Sequence, residues 1–364
     1  MAFLESVEIK AFRGIRKLNI SELGLINVIV GDNNCGKTSV LEAVELLRTS
    51  GNLANIYRIA RQRESLAVSA ANSIYDDFIC MFPHDGSELE IEVKGICNGN
   101  DIFCRVEGRQ NMVLLDAKEL DKSILRNNSE LMGELETEIF NGYIETKYGS
   151  ESKKEEISVN RYSKVSGTVS SAKDIFNIVY VAPFEHLRGN VLSQIVKNAD
   201  YKKVCLKALQ LFDPDIEDML ILRSDIGNKP VEYLYHKKLG NMPIATYGDG
   251  IKKVLVLSNA IAKAAGGILL IDEIETAIHK KYYDDIFRFI VKACKAFNVQ
   301  AFITTHSLEA IDGILATQDY EIQDRIDDIK VTTLKREDDQ SYSRVLPGRD
   351  VFADREAFGF EVQK

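Results

Sequence analysis

Three short apolar runs in this chain each stop at a residue that ends strands. Leu25 to Val30 (LINVIV) halts at Gly31, Ile178 to Ala182 (IVYVA) at Pro183, and Ile268 to Ile271 (ILLI) at Asp272. Runs of this length, bounded in this way, read as strands buried on both faces. Ala301 to Thr305 is a fourth. Between them the apolar positions change to helical spacing. Val40, Leu41, Val44 and Leu47 make one stripe within Thr38–Arg48, which leaves Glu42 and Glu45 on the outer face. Tyr201 to Phe212 is helical and ends before Pro214, and Tyr283, Ile286, Phe287, Ile290, Ala293, Cys294 and Phe297 make another stripe. Buried strands alternating with helices predict an α/β core with a largely parallel sheet.

A second pattern lies beside the first. Glu88 to Lys94 alternates charged and apolar residues, Ile102 to Val106 repeats this, and Asn98 to Asp101 (NGND) separates them. That is an antiparallel hairpin with one wet face. Residues 116–172 are charged and rich in Ser, Asn and Gly, as in Gly149 to Glu156, and read as a variable insertion with some helix. Ile329 to Leu334 and Tyr342 to Val345 read as a closing hairpin at the sheet edge. The expected organisation is a first lobe over 1–115, the insertion over 116–172 and a second lobe over 173–364.

Composition narrows the class. At about 150 residues per domain, 364 residues make two domains or one lobed unit. The net charge of −9 argues against a surface that coats nucleic acid, though not against one local basic groove. No apolar run nears the roughly 20 residues of a membrane span, and the N-terminus enters a strand pattern without a signal-peptide layout. A soluble cytoplasmic protein with no membrane partner is expected. The six cysteines form no C-x-x-C pair, and there are only five histidines, so neither a zinc cage nor a redox couple is spelled out. Arg58, Arg61 and Arg63 read as a solvated helix face, with a surface for a partner or DNA as the alternative.

The chemistry lies in four short segments. Gly31, Asp32, Asn33, Asn34, Cys35, Gly36, Lys37 and Thr38, followed by Ser39, match G-x-x-x-x-G-K-[ST] at every fixed position, after a strand and before a helix. Backbone N–H groups of such a loop cradle phosphates, and the helix N-terminus adds its dipole. Lys37 supplies charge to the outer phosphates and Thr38 a hard oxygen for Mg²⁺. Cys35, at a helix N-terminus, could carry a stabilised thiolate, although a plain loop residue is the simpler reading. The second segment is the apolar strand ending in Asp272 and Glu273. This strand is expected beside the loop strand, with Asp272 on Mg²⁺ and Glu273 orienting or deprotonating the attacking water.

Tyr247-Gly248-Asp249-Gly250 opens an apolar helix and is a second candidate phosphate site. One triphosphate does not need two such sites in one chain. The economical arrangement is a dimer in which Gly248, Asp249 and Gly250 cap the ATP of the other copy. Thr304-Thr305-His306-Ser307 follows the last buried strand, where His306 can hydrogen-bond the γ-phosphate or the water.

Taken together, Lys10 to Val44, YGDGIKKVLVL, ILLIDEIETAIH and QAFITTHSLEAI resemble, in order, the motifs of ABC-type ATPases of the RecF/SMC kind. The resemblance is strongest to the stand-alone AAA/ABC ATPases of the OLD (overcoming lysogenization defect) group and covers residues 1–50 and about 180–350. It implies a P-loop NTPase fold of ABC/SMC-head type: a mixed sheet, an antiparallel β-subdomain and a helical signature lobe. By motif match it assigns catalysis to Lys37, Glu273 and His306, and metal binding to Thr38 and Asp272. Arg13 matches the family's N-terminal arginine near the nucleotide. The cofactors implied are ATP and Mg²⁺, and the assembly is a homodimer or higher homo-oligomer.

There are departures. The signature lacks the serine of LSGGQ, and an anionic Asp249 cannot sit on a phosphate, so backbone N–H groups must make that contact. The family's Gly-Leu-His-Pro is Ala277-Ile278-His279-Lys280 here. No Q-loop glutamine is assigned; Gln62 and Gln110 read as surface residues. The 58 residues after His306 read as edge strands and a tail, so the expected effector, a Toprim-type nuclease or a toxin, is encoded separately. DNA is the partner in the competing reading of a RecF/SMC-like repair ATPase. No segment sustains the three or four heptads of a long coiled coil, which favours a defence module controlled by this ATPase.

Overall fold

The computed structural model describes residues 4–48, 53–63, 73–83, 88–116, 134–163, 175–187, 191–223, 229–321, 327–338 and 340–358. The strands are β1 (Leu4–Phe12), β2 (Ile15–Ile20), β3 (Ile26–Gly31), β4 (Glu88–Cys97), β5 (Asn100–Asp116), β6 (Glu134–Tyr148), β7 (Glu151–Asn160), β8 (Ile178–Val181), β9 (Ile216–Arg223), β10 (Pro230–His236), β11 (Gly240–Pro243), β12 (Ile268–Ile271), β13 (Gln300–Thr304), β14 (Ile329–Glu337) and β15 (Gln340–Pro347). The helices are α1 (Lys37–Leu46), α2 (Leu53–Ala60), α3 (Ile74–Ile79), α4 (Leu192–Ile195), α5 (Ala199–Leu209), α6 (Asp249–Lys263), α7 (Tyr283–Phe297), α8 (Leu308–Leu315) and α9 (Gly348–Phe358).

Three sheets result. One runs β15-β14-β3-β13-β12-β8, parallel from β14 to β8 with β15 antiparallel at one edge. Three of its inner strands, β3, β13 and β12, are buried along their whole length, as the apolar runs predict. The second is antiparallel, β2-β1-β4-β5-β6-β7, and packs with α1, α2 and α3 around one core. The third, β11-β10-β9, joins α4 and α5 in a smaller lobe whose core includes Leu255 of α6. The buried amide of Gln300 ties the first two sheets together: it accepts from Leu4 N and donates to Leu4 O, both at 2.8 Å.

The structure departs from the sequence reading at several points. Residues 134–160 are not helical; they form β6 and β7, and β6 pairs along β5 from Ile102 to Asp116. Their alternation is blurred because both faces of this hairpin carry Glu, Lys and Thr. The rest of the 116–172 segment lies outside the described residues apart from 116 and 161–163. β14 is not an edge strand, because it pairs in parallel with β3, and the expected tail contains helix α9. Among the described residues no helix is long and apolar enough to cross a membrane.

Glu42 and Glu45 face inward and are fully buried. Their charges are met by arginines distant in sequence: Arg13 and Arg63 on Glu42, each at 2.7 Å, and Arg58 on Glu45 at 2.7 Å. Arg61 pairs with Asp77 at 3.0 Å. The three arginines therefore serve as counterions for buried acids, where the sequence suggests a solvated face.

Candidate functional site

The phosphate loop follows β3. Gly31 (φ 143°) and Gly36 (φ 102°) adopt backbone conformations that favour glycine, and Asn34 (φ 64°) adopts the left-handed form that Asn tolerates. Gly31 is also required by packing, since a Cβ there would lie 2.3 Å from Leu334 O of β14. Asp32, Asn33 and Asn34 are exposed, and α1 begins at Lys37 after Gly36, which provides no side-chain cap. Its first N–H groups are left for an anion, as a phosphate cradle needs.

Lys37 is nearly buried. Its Nζ donates to Gly31 O and Asp32 O, both at 2.8 Å, so the ammonium rests on the carbonyls of its own loop. Burial lowers its pKa, opposed by Cys35, Asp272 and Glu273. Cys35 is buried and its thiol is pushed up by desolvation, so the thiolate that its position at a helix start suggests is not favoured.

Asp272 directly follows β12, and the loop strand is not the neighbour of β12 as expected: β13 lies between them. The two motifs meet nevertheless. Thr38 Oγ1 donates to Asp272 Oδ2 at 3.0 Å, Tyr180 OH donates to the same oxygen at 3.1 Å, and Thr304 Oγ1 donates to Oδ1 at 2.6 Å. Three hydroxyls thus hold a carboxylate that is 4% exposed. The acidity of Tyr180 is suppressed, first by burial and then by Asp272.

Glu273 has φ 48°, an uncommon conformation for a side chain of this size, and its N–H donates to Thr304 Oγ1 at 2.8 Å. Its carboxylate is 45% exposed and reaches Nε2 of His306 at 4.0 Å. His306 N donates to Glu275 Oε1 at 2.7 Å. The structure therefore brings together Gly31, Gly36, Lys37, Thr38, Asp272, Glu273 and His306.

Arg13 is placed differently. Its guanidinium turns inward onto Glu42 and the carbonyl of Ile59, and burial lowers its pKa. Ser39 Oγ accepts from Arg63 at 2.8 Å. Gly248 and Asp249 are exposed at the start of α6, with open space around Gly248, and Asp249 pairs with Lys252 at 3.0 Å. Gln110 donates to Tyr75 OH at 2.8 Å. Gln62 lines a cavity of about 510 Å³ together with Tyr57, Arg58, Arg61, Tyr180 and Glu185. Tyr180, Thr304 and Arg63 are contacts that sequence reasoning passed over; Tyr180 and Thr304 sit inside strand runs where apolar neighbours mask them.

The arrangement is a loop that can cradle phosphates, a hydroxyl–carboxylate pair suited to a hard cation, and an exposed acid beside a histidine. A family described as "AAA domain, putative AbiEii toxin, Type IV TA system" matches residues 114–312, more than half of the chain. The chain belongs to that family. A second description, "AAA ATPase domain", matches residues 3–164. This AAA-type ATPase chain is 23% identical to an "ATP/GTP phosphatase" of Helicobacter pylori, over 96% of both chains. It is 30% identical over 150 residues to "DNA replication and repair protein RecF" of Geobacter sulfurreducens, spanning 38% of each. Among solved structures, an SMC head bound to the C-winged helix domain of ScpA superposes with a TM-score of 0.51 at 13% identity, covering 97% of this chain and all of that one. The fold is that of an SMC head-like P-loop ATPase.

Proposed function

We propose that this protein is an ATP-hydrolysing switch that closes as a homodimer and controls a separately encoded effector, a nuclease or toxin, in a prokaryotic anti-phage system. One observation carries the hydrolytic reading: Thr38, Thr304 and Asp272 converge while Glu273 stands exposed beside His306. The oxygen donors Thr38 and Asp272 fit Mg²⁺, which when bound would neutralise phosphate charge. Lys37 leaves its loop carbonyls to meet the outer phosphates. Glu273 orients the attacking water and accepts its proton, and His306 hydrogen-bonds the γ-phosphate or that water. Asp249 is engaged by Lys252, so the open start of α6 offers backbone N–H groups to the partner copy's triphosphate. A ligand that bridges two copies in only one state biases a two-state equilibrium, which is what a switch requires.

Support for the defence role comes from the family description, which names a toxin of a type IV system. Within that reading we place the chain near the stand-alone OLD group, in the cytoplasm, with a Toprim-type nuclease as one effector. The stretch shared with RecF favours a second reading, a repair ATPase acting directly on DNA. Glu273→Gln is expected to trap an ATP-bound dimer, visible by sizing with ATP and Mg²⁺. Wild-type turnover in that variant would overturn the catalytic reading. The neighbouring reading frame separates the two roles: a nuclease or toxin supports the first, a recombination protein the second.

A further inference from the structure

Lys253 lies one turn into α6, on the helix that begins at Gly248 and Asp249, and it is completely buried. Lysine is almost never fully buried without a paired acid. Here Nζ donates to Pro183 O at 3.1 Å, a carbonyl at the end of β8 that also binds His186 Nδ1 at 3.1 Å. Asp272, Glu273, Glu275 and Glu185 all favour its charge, and burial opposes it. On the acidic side, Glu275 Oε1 is used by His306 N, but Glu275 Oε2 is buried with no hydrogen-bond partner. The two regions also touch through the backbone: a Cβ on Gly250 would come 3.3 Å from Ala277 O.

A buried ammonium resting on one carbonyl, in the field of a carboxylate that leaves one oxygen without a partner, is an arrangement with a second resting place available. We propose that Lys253 is a positioning residue that couples the opening turn of α6 to the Glu273–Glu275 loop, resting on Pro183 O in the open protein and moving to Glu275 Oε2 when α6 engages a partner's triphosphate. Glu275 also holds the backbone at His306, so the transfer adjusts both His306 and Glu273. Seating of the signature turn is thereby reported, through one side chain, to the groups that handle the water. The proposal rests on the hydrolytic reading above.

The test measures MgATP affinity, turnover and apo melting temperature for Lys253→Met, Lys253→Arg and Glu273→Gln. Methionine keeps the volume and removes the buried charge, so Lys253→Met should fold with an unchanged or higher melting temperature. Its ATP affinity should stay within about threefold, its turnover should fall by roughly twentyfold, and Lys253→Arg should recover a large part of that loss. Turnover of Lys253→Met within twofold of wild type overturns the proposal. A loss accompanied by a lower melting temperature, or not recovered by arginine, also overturns it, because the residue is then only structural. If Glu273→Gln keeps wild-type turnover, the catalytic reading has failed instead.

Discussion

Thr38 Oγ1 donates to Asp272 Oδ2 at 3.0 Å although the strands leading to them are not neighbours. The intervening strand, β13, contributes Thr304 at the point where the two meet. Its hydroxyl donates to Asp272 and accepts from Glu273 N–H, so one group fixes both acids of the site.

Thr304→Val is nearly isosteric and removes both bonds. A buried carboxylate oxygen and a backbone N–H lose their partner, a loss of about 1–3 kcal/mol in stability. Turnover should fall roughly tenfold or more, because a small shift of Glu273 misplaces the water. Urea denaturation and a phosphate-release assay check this; Thr304→Ser, which keeps the hydroxyl, should restore most of both. Equal turnover in Thr304→Val would show that Glu273 does not need this support.

Lys37→Ala should abolish nucleotide-dependent stabilisation. In wild type, ATP at about 100 times its Kd should add roughly 2.7 kcal/mol by mass action. Without Nζ that increment should vanish. The apo protein should also lose stability, since two hydrogen bonds to Gly31 O and Asp32 O go with it. Thermal melts with and without ATP and Mg²⁺ give both numbers. An ATP-induced shift of wild-type size in the variant would rule out the phosphate role.

The apolar runs made β3, β12 and β13 legible, because strands buried on both faces have little alternative pattern; β8 was legible as a strand, although it lies at the sheet edge with Val179 and Tyr180 only partly buried. The phosphate loop, the Asp272–Glu273 pair and His306 were legible as a constellation because such motifs keep fixed residue types at fixed spacing, and the fold brings them together. Strand order was not: periodicity says which residues are buried but not that β13 separates β3 from β12. Glu42 and Glu45 illustrate a second limit. Helical spacing assigned them to solvent, but Arg13, Arg58 and Arg63, brought close by the fold, make their burial affordable. Residues 134–160 failed for a third reason: their strands carry polar side chains on both faces.

Glu42 is the anchor of that charge cluster, and its removal should be costly. Glu42→Ala leaves Arg13, 11% exposed, without its carboxylate, and breaking a buried pair in this way costs about 3–5 kcal/mol. Arg63 is 45% exposed, so Arg63→Ala should cost far less, about 1 kcal/mol. Chemical denaturation of the two variants decides it; equal losses would mean that the cluster is screened by solvent.

The buried charge of Lys253 should leave a signature in the pH dependence of stability. Its pKa is pulled down from 10.5 to about 8, first by burial, with Asp272, Glu275, Glu273 and Glu185 opposing. Below pH 8 both folded and unfolded chains carry the proton, and the full desolvation penalty is felt. Between pH 8 and 10.5 the unfolded chain binds more protons than the folded one, so stability rises with pH, by at most about 1.4 kcal/mol per unit. Other lysines and tyrosines also titrate in this window, which makes the difference between wild type and Lys253→Met the useful quantity. Without nucleotide, the variant should be the more stable protein at pH 7, by up to roughly 3 kcal/mol, and the gap should close as pH approaches 10. Urea unfolding across that range measures it. A gap that does not change with pH would mean that Lys253 keeps its ordinary affinity for the proton despite its burial.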